Sequence, residues 1–208
     1  MANIDLVQVL LAFCVLLLSL SVHEAAHAWS ADRLGDATAR TLGRVSFNPL
    51  VHVDPIGTVV FPLVAMFSGL PLIGWAKPVP VNVNNLRGDW RQKYMIIAAA
   101  GPASNLVLAV CAAVGVRLIG AEGTGTVVYD FLYWMVLLNV LLAVFNMIPV
   151  PPLDGGNVLS GLLRGPAANV FDTIRPYGFI ILYGLLLTGV LFSIVGPIQA
   201  RILSWLLY

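Results

Sequence analysis

Leu6-Val7-Gln8-Val9-Leu10-Leu11-Ala12-Phe13-Cys14-Val15-Leu16-Leu17-Leu18-Ser19-Leu20-Ser21-Val22-His23-Glu24-Ala25-Ala26-His27 decides the reading of the whole chain. Residues 6–23 hold no Asp, Glu, Lys or Arg, and a helix of about 20 apolar residues crosses the hydrocarbon of a bilayer. Four more stretches are free of those charges: 55–76, 94–116, 131–153 and 176–200. Together the five cover 111 of the 208 residues. Only 10% of the chain is charged and 59% is hydrophobic, whereas soluble domains are about 25% charged. An ordinary soluble fold is therefore excluded. The expectation is an all-α polytopic membrane protein, one domain over 1–208.

Net charge is +1 with no basic run, so no nucleic-acid partner is expected; the partner the pattern implies is the lipid bilayer itself. Cys14 and Cys111 sit inside apolar stretches and carry no redox information. A signal peptide would need a basic start and a shorter apolar core. The N-terminus has no basic side chain, so the first stretch reads as a retained span. Arg33, Arg40 and Arg44 follow it, and the positive-inside rule puts the N-terminus outside.

Stretch 55–76 contains Pro55, Gly57, Pro62, Gly69, Pro71 and Gly74, and a basic cluster (Lys77, Arg87, Arg91, Lys93) follows it. Two readings stand: a re-entrant element that returns to the cytoplasmic side, which we adopt, or a span kinked at Pro62. The expected spans are then 6–30, 93–118, 127–148 and 177–196, with residues 198–208 at the interface. Trp29, Trp75, Trp90 and Trp134, near the ends of stretches, are expected as interfacial anchors.

His23-Glu24-Ala25-Ala26-His27 fits H-E-x-x-H. On a helix, positions i and i+4 share a face, so both imidazoles can reach one zinc, with Glu24 beside it as a base. From Leu6 to His23 is about 26 Å of helix, which places the pair near the cytoplasmic edge of the hydrocarbon. Ionisable groups at such depth need a partner or a function. A catalytic zinc needs a third protein ligand and an open position. Asp154 ends the other inward-running span, in Asn146-Met147-Ile148-Pro149-Val150-Pro151-Pro152-Leu153-Asp154-Gly155-Gly156. Prolines there stop the helix and glycines permit a reversal, so this carboxylate is the candidate third ligand.

H-E-x-x-H at the end of one span, with N-x-x-P-x-P-x-L-D-G at the end of another, resembles the site-2 protease family of intramembrane zinc metalloproteases. Gly101-Pro102-Ala103-Ser104-Asn105 resembles the G-P-x-x-N that opens the family's intervening core span. Asn48-Pro49-Leu50-Val51-His52-Val53-Asp54-Pro55-Ile56-Gly57 and Gly74-Trp75-Ala76-Lys77-Pro78-Val79-Pro80-Val81-Asn82 resemble its small prokaryotic members. The resemblance spans about residues 15–190 and is to a form without PDZ or CBS domain. It implies one Zn2+ on His23, His27 and Asp154, with Glu24 as catalytic acid/base. The implied substrate is a transmembrane protein cut near the cytoplasmic face of a prokaryotic inner membrane.

Residues 37–47 alternate weakly, Val45 and Phe47 against Arg44 and Ser46. Pattern alone fits a loop as well as strands; the resemblance selects a small membrane-edge β element, suited to holding an unwound substrate by strand addition. Asn105 and Asn146 read either as donors to substrate or a developing oxyanion, or as polar contacts between helices. His52 reads as a hydrogen-bonded structural residue or an accessory to the metal. The rival function is a zinc-binding membrane protein without catalysis, a transporter or sensor. Transport asks for ionisable groups along a whole path, and the five stretches offer only the ends already named. Nothing in the pattern sets an oligomeric state.

Overall fold

The computed structural model describes residues 6–68 and 76–208. Every regular element among them is helical. Helix α1 (Leu6–Arg33) is followed by a single turn, α2 (Thr38–Thr41). A short 3₁₀ turn, Pro49–Val51, precedes a π-helical turn, Pro55–Val60, which runs into α3 (Phe61–Ser68). The remaining helices are α4 (Trp90–Ile119), α5 (Val127–Asn146), α6 (Asp154–Leu162), α7 (Pro166–Ile174), α8 (Gly178–Leu187) and α9 (Val190–Leu207).

Local chemistry sets the ends. Asp89 caps α4 by accepting from the Arg91 and Gln92 amides at 3.0 and 3.2 Å, satisfying donors that a helix start leaves open. Gly120 closes the same helix at φ +65° and ψ −165°, a conformation open to glycine because it has no Cβ. Asp54 caps the π turn through the Ile56 and Gly57 amides, with Pro55 at the first position, where its missing N–H costs nothing.

Helix α4 is the centre of the bundle, packed against α1, α5 and α6. Its buried face is Ile97, Ala98, Gly101, Pro102, Asn105, Ala109, Ala112, Ala113 and Val116, mostly small. In lipid, where apolar side chains gain little by leaving the solvent, small residues let backbones approach and the contact energy comes from packing. Outward faces are apolar: Leu118, Phe179 and Leu187 are exposed, as lipid contact requires and as a soluble surface avoids.

Five helices are long and apolar enough to cross a membrane: Leu6–Arg33, Trp90–Ile119, Val127–Asn146, Pro166–Leu187 (α7 through α8) and Val190–Leu207. Four spans were expected; charge-free stretch 176–200, read as one of them, is instead divided between two helices. Gly189 breaks it at φ +74°, and Thr188 turns its hydroxyl back on the Gly184 carbonyl at 2.9 Å. The chain then stays helical through Pro197 to Leu207, so 198–208 is no separate interfacial tail. The C-terminal half of α9 packs Ile202, Leu203 and Leu206 beside Val116 of α4 and Tyr129 of α5, while Leu191 and Val195 meet Ile148 and Leu153. Helix α9 thus runs the length of the bundle. By contrast, α7 and α8 pack at the end that carries Asp154: Asp172 pairs with Arg91, and Leu182, Leu185 and Leu186 pack on Ile148 and Leu153.

The membrane-edge β element is also corrected. No strand occurs among the described residues. Asp36 accepts from the Thr38 amide and hydroxyl, which nucleates helical turn α2. Gly43 at φ +68° then reverses the chain, and Asn48 caps the 3₁₀ turn through the Leu50 amide at 3.1 Å. These local side-chain bonds compete with an extended ladder and win. Of stretch 55–76, the described part Pro55–Ser68 is 14 helical residues, about 21 Å. Residues 69–75, with Gly69, Pro71, Gly74 and Trp75, lie outside the described residues. Of the other tryptophans, Trp29 and Trp90 carry the guanidinium groups of Arg33 and Arg91 over their rings. Trp134 instead donates to Gln8 Oε1 at 2.7 Å, tying α5 to α1.

Candidate active site

His23, Glu24 and His27 are buried on α1. The turn after α5 reverses through Ile148 to Leu153 and delivers Asp154 as the first residue of α6. That reversal depends on Gly155 and Gly156: a Cβ on Gly155 would collide with the Met147 and Ile148 carbonyls, and one on Gly156 with the Pro151 backbone. The result is a tight triangle. His23 Nε2 and His27 Nε2 are 3.0 Å apart, and Asp154 Oδ2 lies 3.1 and 3.3 Å from them.

The ring orientations are held from behind. His27 Nδ1 donates to the Ile97 carbonyl at 2.7 Å, which can only accept. His23 Nδ1 meets Asn105 Oδ1 at 2.6 Å. The Asn105 amide donates to Asn139 Oδ1 at 2.8 Å, and Asn139 in turn donates to Ser19 Oγ at 2.8 Å and the Met135 carbonyl at 2.8 Å. This relay places an oxygen against His23 Nδ1, so both imidazoles carry their proton on Nδ1 and present bare Nε2 lone pairs. Three acceptors then converge on one point, an arrangement that repels itself unless a cation lies among them. Tetrahedral zinc with N and O ligands near 2.0–2.1 Å sets them about 3.3 Å apart, close to the separations found here. The donor set fits zinc, and the carbonyl and amide behind the rings supply the outer support such ligands ordinarily have.

Gly101 makes the approach possible. Its position on α4 faces the rings so closely that a Cβ would lie 2.5 Å from His27 Cε1 and Nε2 and 2.6 Å from His23 Cε1. Gly101 and Asn105 are i and i+4 on one face, one for clearance and the other for orientation. Asn105 is therefore spent on His23 and Asn139, not turned to a substrate. Asn146 donates back to the Leu142 carbonyl at 3.0 Å and lines the main cavity.

Glu24 sits beside the triangle, and its Oε2 accepts from the Val79 amide at 3.0 Å. Val79 belongs to an irregular strap, residues 76–82, which is pinned along its length. The Lys77 amide donates to the His52 carbonyl at 2.8 Å, Arg44 donates to the Lys77 carbonyl, and the Asn82 amide donates to Asp36 Oδ2 at 2.7 Å. His52 thus serves the strap and stands apart from the metal cluster, its Nε2 bonded to the Ser46 carbonyl at 2.8 Å. Burial, with Arg44 nearby, pushes its imidazole below the ordinary histidine range, against the Ser46 bond. The strap's contact with Glu24, the Ile97 carbonyl and Gly101 were not legible as site features. Two are backbone groups that any residue carries; the Gly101–Asn105 spacing opposite the histidines was the available signal.

The cluster opens on a cavity of about 960 Å³ lined mainly by apolar side chains, with Leu138, Leu142 and Phe145 of α5 facing Leu191 and Val195 of α9. An apolar space with a few convergent polar groups is the form of a ligand site.

Comparison with known proteins bears on this geometry. The model of Peptidase family M50 matches residues 119–187. The "Putative zinc metalloprotease YwhC" of Bacillus subtilis is 36% identical over 181 residues, covering 83% of this chain and 78% of that protein. The like-named Rip2 of Mycolicibacterium smegmatis is 32% identical over 179 residues, covering 84% and 66%. The zinc metalloprotease MJ0392 of Methanocaldococcus jannaschii is 26% identical over 193 residues, covering 88% and 45%. No solved structure matches the chain. Likeness over most of both sequences, joined to a buried donor set that fits zinc, places the chain in peptidase family M50.

Proposed function

We propose that this zinc metalloprotease hydrolyses peptide bonds in or beside transmembrane segments of membrane proteins, at the cytoplasmic edge of the bilayer. The observation that carries it is the convergence of His23, His27 and Asp154 next to Glu24, at one end of an apolar cavity between bundle helices. When bound, zinc supplies Lewis acidity that polarises the scissile carbonyl and acidifies water. His23, His27 and Asp154 hold it, with His23 fixed by Asn105 and His27 by Ile97. The Glu24 carboxylate takes a proton from the attacking water and returns it to the leaving amine nitrogen. Asn146, on the cavity wall, is placed to bond the unwound substrate backbone. A substrate helix hides its carbonyls in hydrogen bonds and must open locally before attack.

In this reading four helices cross the membrane: α1 and α5 inward, α4 and α9 outward, with the N-terminus outside. The contacts of α7 and α8 with the Asp154 end support a position inside the cytoplasmic half. Stretch 55–76 enters and returns without crossing, in a prokaryotic inner membrane. Glu24→Gln tests the central assignment with purified protein and a model membrane substrate. Zinc content should stay at one per chain while cleavage is lost by several orders of magnitude; retained cleavage sinks the role of Glu24.

A further inference from the structure

Beside the metal cluster a second cavity of about 320 Å³ opens between the Pro151-Pro152 turn, the first turns of α4 and the α7–α8 junction. Tyr94, Pro152, Asn157 and Phe179 line both cavities, so the smaller is an alcove of the larger. Its polar groups are the Tyr94 hydroxyl, the Asn157 amide and the Arg175 guanidinium. Arg175 Nη2 donates to Asn157 Oδ1 at 2.8 Å. That bond occupies the amide's acceptor and leaves its Nδ2 donors to point elsewhere. Among the described residues neither Asn157 Nδ2 nor the Tyr94 hydroxyl has a hydrogen-bond partner. The side chains of the alcove therefore present donors, with the phenol oxygen as their one free acceptor.

Its charge is also uncompensated. Arg175 forms no ion pair among the described residues. Asp172 is within electrostatic reach, but its carboxylate is taken by Arg91. Asp154 faces the histidines. Arg175 lies one turn before Gly178, which abuts the Pro151 backbone, so the guanidinium stands at the level of Asp154. Its bond to the neutral Asn157 amide leaves the rest of the guanidinium fork facing the alcove with no carboxylate opposite it among the described residues. A guanidinium with adjacent N–H and O–H donors matches a carboxylate better than any neutral group. The alcove's volume admits one side chain and excludes a helix.

We propose that the Tyr94–Asn157–Arg175 alcove is a substrate subsite for a carboxylate, carried by an Asp or Glu side chain near the scissile bond or by a peptide C-terminus. This rests on the protease reading and adds a specificity that it lacks: an apolar substrate with one acid in fixed register to the cut.

The test uses the zinc-loaded, full-length protein in nanodiscs and transmembrane model peptides carrying a single Glu, moved one residue at a time through the breakable region. Each has a Gln counterpart. Binding is measured with the Glu24→Gln protein and cleavage with the parent. At one register Glu should bind about tenfold tighter than Gln, the size of one charge-assisted hydrogen bond. Arg175→Gln should bring that ratio to about one, Arg175→Lys should keep part of it, and Tyr94→Phe should reduce it by a smaller factor. Because a ratio is read, a general loss of affinity in a variant does not mimic the result. Peptides that end at the same register, as free acid or amide, separate the two sources: a side-chain site ignores the difference, whereas a terminus site shows the tenfold ratio only there. Ratios near one at every register and for both termini overturn the subsite, as does a ratio that survives Arg175→Gln. Failure of the protease reading looks different: cleavage that does not depend on Glu24, with the binding ratio still measurable.

Discussion

Replacing Gly101 by alanine adds one methyl group to a 30-residue helix and should disable the site. The new Cβ would meet His27 Cε1 and Nε2 at 2.5 Å and His23 Cε1 at 2.6 Å, whereas carbon contacts rest near 3.5–4.0 Å. About 1 Å of separation must be found. The rings cannot simply turn away, because His27 Nδ1 is tied to Ile97 and His23 Nδ1 to Asn105, both on the helix that carries the new methyl. Moving α4 back by 1 Å would stretch these bonds from 2.6 and 2.7 Å beyond hydrogen-bonding range. Loss of such support costs about 10–100-fold in metal affinity, and a displacement of about 1 Å near reacting groups costs on the order of 100-fold in rate. Overpacking adds about 1–3 kcal/mol of destabilisation. The assay is zinc per chain by elemental analysis after dialysis against a weak chelator, beside cleavage rate and thermal midpoint. Gly184→Ala is the control, since a Cβ there meets nothing within 4 Å. Full zinc and a rate within about twofold of the parent in Gly101→Ala would refute the reasoning.

Asn105→Leu should free the His23 ring and leave Asn139 Oδ1 without its donor, lowering the thermal midpoint and lowering zinc affinity by about 10–100-fold in chelator competition; unchanged affinity would show that the Asn105 bond is incidental. Val79→Pro deletes the amide that holds Glu24 while suiting an extended chain, and should lower kcat about tenfold with zinc content unchanged. Val79→Ala, which keeps the N–H, should stay near the parent; equal behaviour of the two variants would remove the strap from the site. Asp36→Ala unties the far end of that strap, leaving the Asn82 amide and Asn85 without their carboxylate, and should cost about 1–3 kcal/mol in thermal unfolding. Burial opposes the charge on Asp36, but hydrogen bonds from Thr38, Asn85 and Asn82 outweigh it and hold its carboxyl below the ordinary range. A depressed folded value means stability that is full above 3.8 and is lost as pH falls through the folded value. The parent should therefore lose more stability on acidification below that point than Asp36→Ala does, and parallel acid curves would count against it.

Scarcity of charge made the long helices legible: α1, α4 and α5 start or stop within a few residues of the expected limits because each is flanked by polar caps or charges. The same criterion failed beyond residue 163. Asp172 and Arg175 lie inside the α7–α8 helical stretch, where Asp172 pairs with Arg91 and Arg175 bonds the neutral amide of Asn157, both from other helices. A charge count along the chain cannot see partners brought by folding. It also cannot see a dihedral angle, so Gly189 passed as one more apolar residue although it divides α8 from α9. The strand expected at 37–47 rested on four alternating positions, which fit a loop equally well, and on the family resemblance. Capping bonds within the segment, from Asp36 and Asn48, decided it otherwise.

At the site the legible part was the set of side chains whose type and spacing zinc chemistry dictates, and the illegible part was what orients them. Ser19, Asn105 and Asn139 come from α1, α4 and α5, one from each central helix, and all three are fully buried. An unsatisfied polar group at membrane depth costs several kcal/mol, so once these three residues are present they must meet, and meeting fixes the rotation of each helix against the other two. The last acceptor in that chain, Asn105 Oδ1, has His23 Nδ1 as its partner. The energy that locks the helices in register is thus the energy that aims the metal ligand. Removing the Asn139 side chain would orphan a donor of Asn105 two bonds away from the zinc position, and the site would loosen through a residue that touches neither metal nor substrate. Stability and catalysis share these bonds, which is why the residues that serve both look, in a linear sequence, like stray polar positions in apolar helices.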